Sequence, residues 1–439
     1  QHSFPTRRSS DLAMLRGQSL PVAGFIPGET AEVRIKHGVK GTFVEGYVDR
    51  LATSSPLRVK PNCLHYGACG ACQLQHLSAE GQRVFKQEVA ERYLGRFGKV
   101  NPIVQMPEPW RYRNKSHITF SEPRRGVVQA GLYQEGTHRV TAIESCLVQP
   151  VVVDEITKTM LALMKSFKFE PFNEDRGSGL IRHILVRQGF ATGKIMVVVV
   201  VSTLKLPSKR NFLQALLKAH PEITTVLLNQ NNQRTSMILG PQFEKLYGLG
   251  YIREKTGGLS FEISPSSFYQ INPFQTERLY KIALDFAELT KDDVVCDAYC
   301  GVGTIGLLAA KFAKEVVGVE NNRESIIAAE RGAAVNQVKN IRFICSDAGQ
   351  WMRQYASAEK VLDVLIMDPP RAGADNGFLD SVVKLKPKRI VYISCNMETQ
   401  QRDLQFLCDN QYIVTKIQPL DMFPQTSHVE TVVLMSRVK

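Results

Sequence analysis

The chain has 439 residues, 44% of them hydrophobic and 22% charged, with 55 Lys and Arg against 42 Asp and Glu. That composition excludes a disordered or fibrous protein, and the longest apolar run, Ile195 to Val201, is far short of the ~20 residues a membrane helix needs. The length calls for two or three domains, because single cores rarely grow beyond about 250–300 residues.

Charge is divided unevenly along the chain. Residues 1–250 hold 33 Lys and Arg against 19 Asp and Glu, whereas residues 251–439 hold 22 against 23. A basic front that holds a polyanion, joined to a neutral part that works on a small molecule, fits this division; so does a solvated basic surface. Nine cysteines without a secretory signal point to a reducing compartment, so a cytoplasmic protein is expected.

In chain order, residues 1–13 lack both an apolar signal core and periodicity and read as a non-native or disordered segment. Residues 14–60 carry short alternating runs, Ala31 to Ile35 and Thr42 to Val48, separated by glycines, the pattern of a small antiparallel barrel. Residues 61–255 form a central region. It opens with Cys63-x5-Cys69-x2-Cys72, continues through a helical run from Ser78 to Phe97, and then leans to β structure through Trp110 to Lys115 and a hairpin-like Gly126 to Val140. Three soft ligands need a fourth for a tetrahedral site, and Cys146 is the other cysteine outside the C-terminal half. Structural zinc, an iron–sulfur cluster and free thiols all compete, and spacing does not separate the first two.

Residues 256–439 change texture. Apolar strands at Val294–Asp297, Glu315–Val319, Ile341–Cys345, Val361–Met367 and Arg389–Ser394 alternate with helical segments, the signature of a doubly wound α/β sheet. Two more strands follow, near Tyr412–Gln418 and Val429–Met435. Asp297 to Thr304 contains Gly301-Val302-Gly303 opening into a helix, and the second strand ends in Glu320, placed to accept a ribose diol. Because Gly306 completes a Gly-x-Gly-x-x-Gly pattern, the loop alone admits NAD or S-adenosylmethionine. The Asp368-Pro369-Pro370-Arg371 turn after the fourth strand favours the second, since it is similar to the substrate-side motif of class I methyltransferases.

The fifth strand ends in Ser394-Cys395-Asn396 just before a helix, whose N-terminus is expected to lower the thiol pKa. A thiolate beside a methyl donor has a defined use: uracil C5 becomes nucleophilic once sulfur adds to C6, and a base must then remove the C5 proton. Glu430 is the candidate base and His428 its competitor.

These stretches, with Gly67 to His76, Tyr112 to Lys115, Arg182-His183, Ser267 to Asn272 and His428 to Glu430, resemble the bacterial RNA (uracil-5-)-methyltransferases, most of all the 23S ribosomal RNA branch, from about Pro27 onward. The resemblance implies a Rossmann-like class I methyltransferase domain with a seven-stranded mixed sheet. It is preceded by a TRAM module, an OB-like barrel marked by Pro27-Gly28-Glu29, and by a β-rich central domain with the cysteine cluster. The segment before Leu15 does not look like the first strand of that barrel, so the barrel is expected to be incomplete.

The resemblance further implies Cys395 as nucleophile and Glu430 as base. S-adenosylmethionine contacts fall on Gln270, Tyr299, Thr304, Glu320, Asp347 and Asp368, and a 4Fe-4S cluster on Cys63, Cys69, Cys72 and Cys146, with zinc as the alternative. Trp110, Tyr112, Arg113 and Lys115 are candidate RNA contacts. The expected partner is 23S ribosomal RNA, with no membrane and no obligate protein partner, and a monomer is expected. Rival readings are the transfer RNA enzyme of the same superfamily and a non-catalytic RNA-binding or ribosome assembly factor; a 5-methylcytosine enzyme lacks support because no Pro-Cys follows Asp368.

Overall fold

The computed structural model describes residues 12–15, 18–37, 43–134, 137–235 and 237–438. Its front is a four-stranded sheet of β1 (Leu12–Leu15), β2 (Gln18–Ala23), β3 (Thr30–His37) and β4 (Phe43–Thr53), in the order β1-β2-β4-β3. Strand β1 corrects the sequence reading. Leu12 pairs with Pro21 and Leu15 with Gln18, so Leu12 and Ala13, which the pattern of residues placed outside the fold, belong to the sheet. A strand edge satisfies backbone groups whatever its side-chain pattern. Residues 1–11 lie outside the described residues. Glu29, buried, locks this sheet to the segment around Ser55 and Arg58 by accepting from the amides of Ile26 (3.0 Å) and Ser55 (3.1 Å) and from the Arg58 guanidinium.

Helix α1 (Ala79–Leu94) is capped by Ser78, whose side chain accepts from the Gly81 amide. Its buried stripe is Gly81, Gln82, Phe85, Lys86, Ala90 and Leu94, so two polar side chains point inward. The central region is a seven-stranded sheet of β5 (Lys115–Arg124), β6 (Val127–Tyr133), β7 (Val140–Ala142), β8 (Ile181–Gln188), β9 (Ile195–Val201), β10 (Ile223–Gln230) and β11 (Gln242–Tyr247), in the order β11-β10-β9-β8-β5-β6-β7. Helices α2 (Val151–Phe167) and α3 (Lys209–Ala219) cover one face through Ile156, Met160, Phe212 and Leu216. From the other face Leu185, Met196, Val198 and Leu227 enter the core of the C-terminal domain. Burial on both faces is why β9 is apolar at every position.

A hairpin of β12 (Ile252–Thr256) and β13 (Leu259–Ile263) and helix α4 (Pro273–Ala287) lead into the second seven-stranded sheet. Its strands are β14 (Val294–Ala298), β15 (Glu315–Glu320), β16 (Ile341–Cys345), β17 (Val364–Met367), β18 (Arg389–Ser394), β19 (Tyr412–Leu420) and β20 (Glu430–Arg437). Between them run α5 (Thr304–Ala309), α6 (Arg323–Val335), α7 (Ala348–Ser357), α8 (Asn376–Leu385) and α9 (Met397–Cys408). The order is β16-β15-β14-β17-β18-β20-β19, parallel from β16 to β18, with β20 antiparallel to both its neighbours.

Alternate strand residues feed two cores. Val295, Val316, Ile366, Val391 and Val432 face one, while Cys296, Val317, Met367, Tyr392 and Val433 face the other. The strand order reverses between β14 and β17, which opens a crevice at their carboxyl ends, the position where such sheets bind ligands. Among the described residues no helix is long and apolar enough to cross a membrane.

Candidate active site

The crevice is shaped by backbone. Tyr299, Gly301 and Gly303 have φ of 64°, 54° and 76°. At Gly303 a Cβ would lie 2.6 Å from Phe343 and 3.0 Å from Ala329, so the turn needs glycine for conformation and for space. Glu320, ending β15, accepts from the amides of Gly301 (3.2 Å) and Asn322 (2.8 Å) and so anchors the glycine loop; a carboxylate retains further lone pairs for a ligand.

Of the other expected cofactor residues, Thr304 is buried at the start of α5, and Asp347 caps α7 by accepting from the Gln350 amide (2.8 Å). The buried Gln270 has its carbonyl held by Asn114 Nδ2 (2.8 Å), and its neighbour Tyr269 shares a core with Val302 and Ile305 of the glycine-loop region. Asp368 follows β17, its amide donating to the Ala298 carbonyl (3.3 Å). Burial pushes its carboxyl up to about 7. Asp297, an acid the sequence reading left without a role, accepts from the Gly306 amide at 2.7 Å. Burial, followed by the charges of Asp368 and Glu320, pushes it up to about 7. Three carboxyls thus crowd one crevice, which suits a cationic ligand.

Cys395 sits between β18 and α9, beside this crevice. Burial first, then the charges of Glu430 and Asp368, push its thiol up to about 12, against the opposing pull of the Arg371 guanidinium. This overturns the expected lowering by the helix. Cys395 lies outside the cap, and Asn396 fills that position with its own side chain, accepting from the Glu398 amide (3.2 Å).

Glu430 opens β20 opposite Leu420 and is 4% exposed. Burial and the charge of Asp368 raise it to about 8, with Arg371 opposing. Cys395, Glu430, Asp368 and Arg371 therefore form one electrostatic group. His428 packs its ring 5.9 Å from that of Phe423. Arg371, which the sequence reading quoted without a role, is tied to α9 because its carbonyl accepts from Asn396 Nδ2 (2.9 Å) and Thr399 Oγ1 (3.1 Å). Its signal was the one cation in the acid-Pro-Pro turn.

Cys63, Cys69, Cys72 and Cys146 line one small cavity together with His65, Tyr66, Gln75 and Val148. Burial pushes the Cys72 thiol up to about 12, reinforced by Cys146 and Cys69 and opposed by Gln75 and Arg113. All nine cysteines are free thiols. Among the described residues no group of three or more His, Cys, Asp or Glu is arranged to hold a metal ion, so the four thiols share a cavity without forming a ready single-ion site. Four soft donors, Cys146 buried and the other three half-buried, beside a guanidinium have the chemistry of a thiolate-held group.

Of the candidate RNA contacts, Arg113 and Lys115 are half-buried, and burial pushes the Lys115 ammonium down to about 7. Tyr112 is corrected. It is wholly buried and donates its hydroxyl to the Pro424 carbonyl (3.0 Å), so its side chain is structural.

A family model described as tRNA (Uracil-5-)-methyltransferase matches residues 251–438. A protein of Bacillus cereus named as an uncharacterized RNA methyltransferase is 39% identical over 439 residues, which span 99% of this chain and 95% of the relative. One of the same description from Staphylococcus aureus is 40% identical over 420 residues, spanning 94% and 92%. Among solved structures, the Pyrococcus abyssi tRNA (uracil-54, C5)-methyltransferase in complex with S-adenosyl-L-homocysteine is similar with a TM-score of 0.79 and 27% identity, over 98% of both chains. The chain belongs to the RNA (uracil-5-)-methyltransferases, enzymes that use S-adenosylmethionine to methylate RNA.

Proposed function

We propose that the protein methylates C5 of a specific uridine in 23S ribosomal RNA, with Cys395 as nucleophile and Glu430 as base. The observation that carries this reading is the convergence of Cys395, Glu430, Asp368 and Arg371 at the carboxyl edge of the sheet. S-adenosylmethionine, when bound by Gln270, Tyr299, Thr304, Glu320, Asp347 and Asp368, supplies the electrophilic methyl group.

The chain's own residues do the rest. The Cys395 thiol gives up its proton to solvent, its sulfur forms the S–C6 bond, and the C5–C6 electron pair is left delocalised as an enolate with C5 nucleophilic. Arg371 offsets negative charge beside it. After C5 has gained its methyl group, the Glu430 carboxylate takes the C5 proton, the electron pair restores the C5–C6 double bond, and the thiolate leaves. The target base has to quit its stack to reach this crevice.

The four cysteines are proposed to hold a 4Fe-4S cluster, which takes no part in these steps. Protein purified without oxygen is expected to be brown. Zinc by metal analysis, in an anaerobic sample without visible absorbance, would refute the iron assignment.

The basic front supports a large RNA substrate through phosphate contacts. A transfer RNA is the second reading. The Pyrococcus abyssi enzyme named for transfer RNA is matched along 98% of both chains, so a long front of this kind does not by itself mark the ribosomal branch. The deciding experiment is tritium release from 5-tritiated-uridine ribosomal and transfer RNA, incubated anaerobically with the protein and S-adenosylmethionine. Release from ribosomal RNA alone is the expected result; release from transfer RNA alone keeps the chemistry and replaces the substrate.

A further inference from the structure

We infer that the cysteine-bearing segment positions the base. It clamps, from outside the catalytic domain, the hairpin connection that delivers Glu430 to the sheet. The inference rests on Glu430 being the base.

Strands β19 and β20 pair as far as Leu420 with Glu430, so residues 421–429 are their connection. At its tip Gln425 has φ of 68°, a conformation that non-glycine residues hold only when surroundings enforce it. The enforcement comes from the front of the chain. The Gln425 carbonyl accepts from the amides of Gln73 (3.0 Å) and Leu74 (2.9 Å), the two residues after Cys72. Its amide donates to Gln82 Oε1 (3.1 Å), and Gln82 Nε2 donates to Gln425 Oε1 (3.0 Å). The Pro424 carbonyl accepts from Tyr112, whose ring packs in one cluster with Cys72 and Cys146. Lys86, 1% exposed, bonds the Asp421 carboxylate and the Phe423 carbonyl (3.1 Å).

The catalytic domain holds the foot of the connection. Asn272 Nδ2 donates to the Met422 carbonyl (2.9 Å) and Gln275 Nε2 to that of Asp421 (2.9 Å). Every hydrogen bond described at Pro424 and Gln425 comes from residues 73–112. Two routes thus run from the cysteine cavity to the tip, one through Gln73 and Leu74 and one through Tyr112.

Cys395, on the carboxyl end of β18, has no such dependence. Loosening the clamp therefore leaves sulfur addition and methyl transfer in place and slows the last step, in which the C5–H bond breaks, the proton goes to Glu430, the C5–C6 double bond reforms and the S–C6 bond breaks. A methylated covalent protein–RNA adduct then accumulates.

The test uses the full chain, purified anaerobically, with Gln82→Met, which keeps bulk and removes the paired hydrogen bonds, and with Cys72→Ser. For Gln82→Met the expected result is roughly tenfold slower tritium release, accumulation of a denaturation-resistant adduct and unchanged RNA affinity. For Cys72→Ser, amide hydrogen exchange is expected to rise in 421–428 together with 63–77, while 389–394 stays protected. Unchanged exchange in 421–428 when 63–77 has loosened overturns the clamp. So does a loosened 421–428 in Gln82→Met without adduct, provided Glu430→Gln accumulates it. If Glu430→Gln itself accumulates none, the base reading fails, and with it the inference that the clamp positions a base.

Discussion

Cys395, the proposed nucleophile, lies in surroundings that keep its proton on, because burial and two neighbouring carboxyls all favour the neutral thiol. Cys395→Ala is expected to abolish tritium release while RNA binding, measured by filter retention, is kept; residual turnover would remove Cys395 from its role. Glu430 gives a prediction of definite sign. Its folded value of about 8 lies above the ordinary 4.5, so the folded state binds this proton more tightly than the unfolded chain does. Stability from this group is therefore fully present below the ordinary value and is lost as pH rises toward 8. Glu430→Gln is expected to stabilise the fold more at about pH 8.5 than at about pH 5, by on the order of 1–3 kcal/mol at the higher pH, read as a larger rise in Tm there. Equal shifts at both would mean that Glu430 is ionised throughout. Turnover should run the other way, rising with pH toward 8 as Glu430, the proposed base, loses its proton.

The glycine loop joins β14 to α5 only because Gly303 can hold positive φ where Phe343 and Ala329 leave no room for a side chain. Gly303→Ala should cost on the order of 1–3 kcal/mol of stability and weaken S-adenosylmethionine binding by calorimetry at least tenfold or so; wild-type affinity would show that the loop is not the cofactor cradle. This loop was legible in the sequence, as were the strands of the second sheet, because short continuous apolar runs between helical segments and the acids and glycines at strand ends are local signals. Helix α1 was legible only as a helix. Its inward-facing Gln82 and Lys86 look like surface residues until Gln425 and Asp421, 343 and 335 residues later, supply their partners. The rise of the Cys395 pKa was hidden for the same reason, since the burial that is its main cause and the Glu430 charge that adds to it arise only once β20 pairs with β18 in the fold. β1 was missed because a short edge strand carries little pattern of its own.

Across the whole molecule, the boundary expected at residue 255 runs through a shared core. Leu185, Met196, Val198 and Leu227 pack in one cluster with Leu259, Tyr269, Leu279 and Val295. The central and catalytic regions are therefore expected to unfold in a single calorimetric transition, and two resolved transitions would show the boundary to be real. Because the basic excess lies in the front half, RNA affinity should fall steeply between low and physiological salt while S-adenosylmethionine affinity barely moves; a salt-independent RNA affinity would assign the basic surface another purpose. The place of β20 in the sheet also bears on how the enzyme is made. It slots between β18 and β19, both synthesised before it. A chain emerging from the ribosome completes its glycine loop and Cys395 while the slot stands empty and Glu430, the proposed proton acceptor, has yet to be translated. A nascent chain that engaged its RNA at this stage would hold the proposed nucleophile without the proposed base and, like Glu430→Gln, would keep the uridine it bonded until β20 enters the slot.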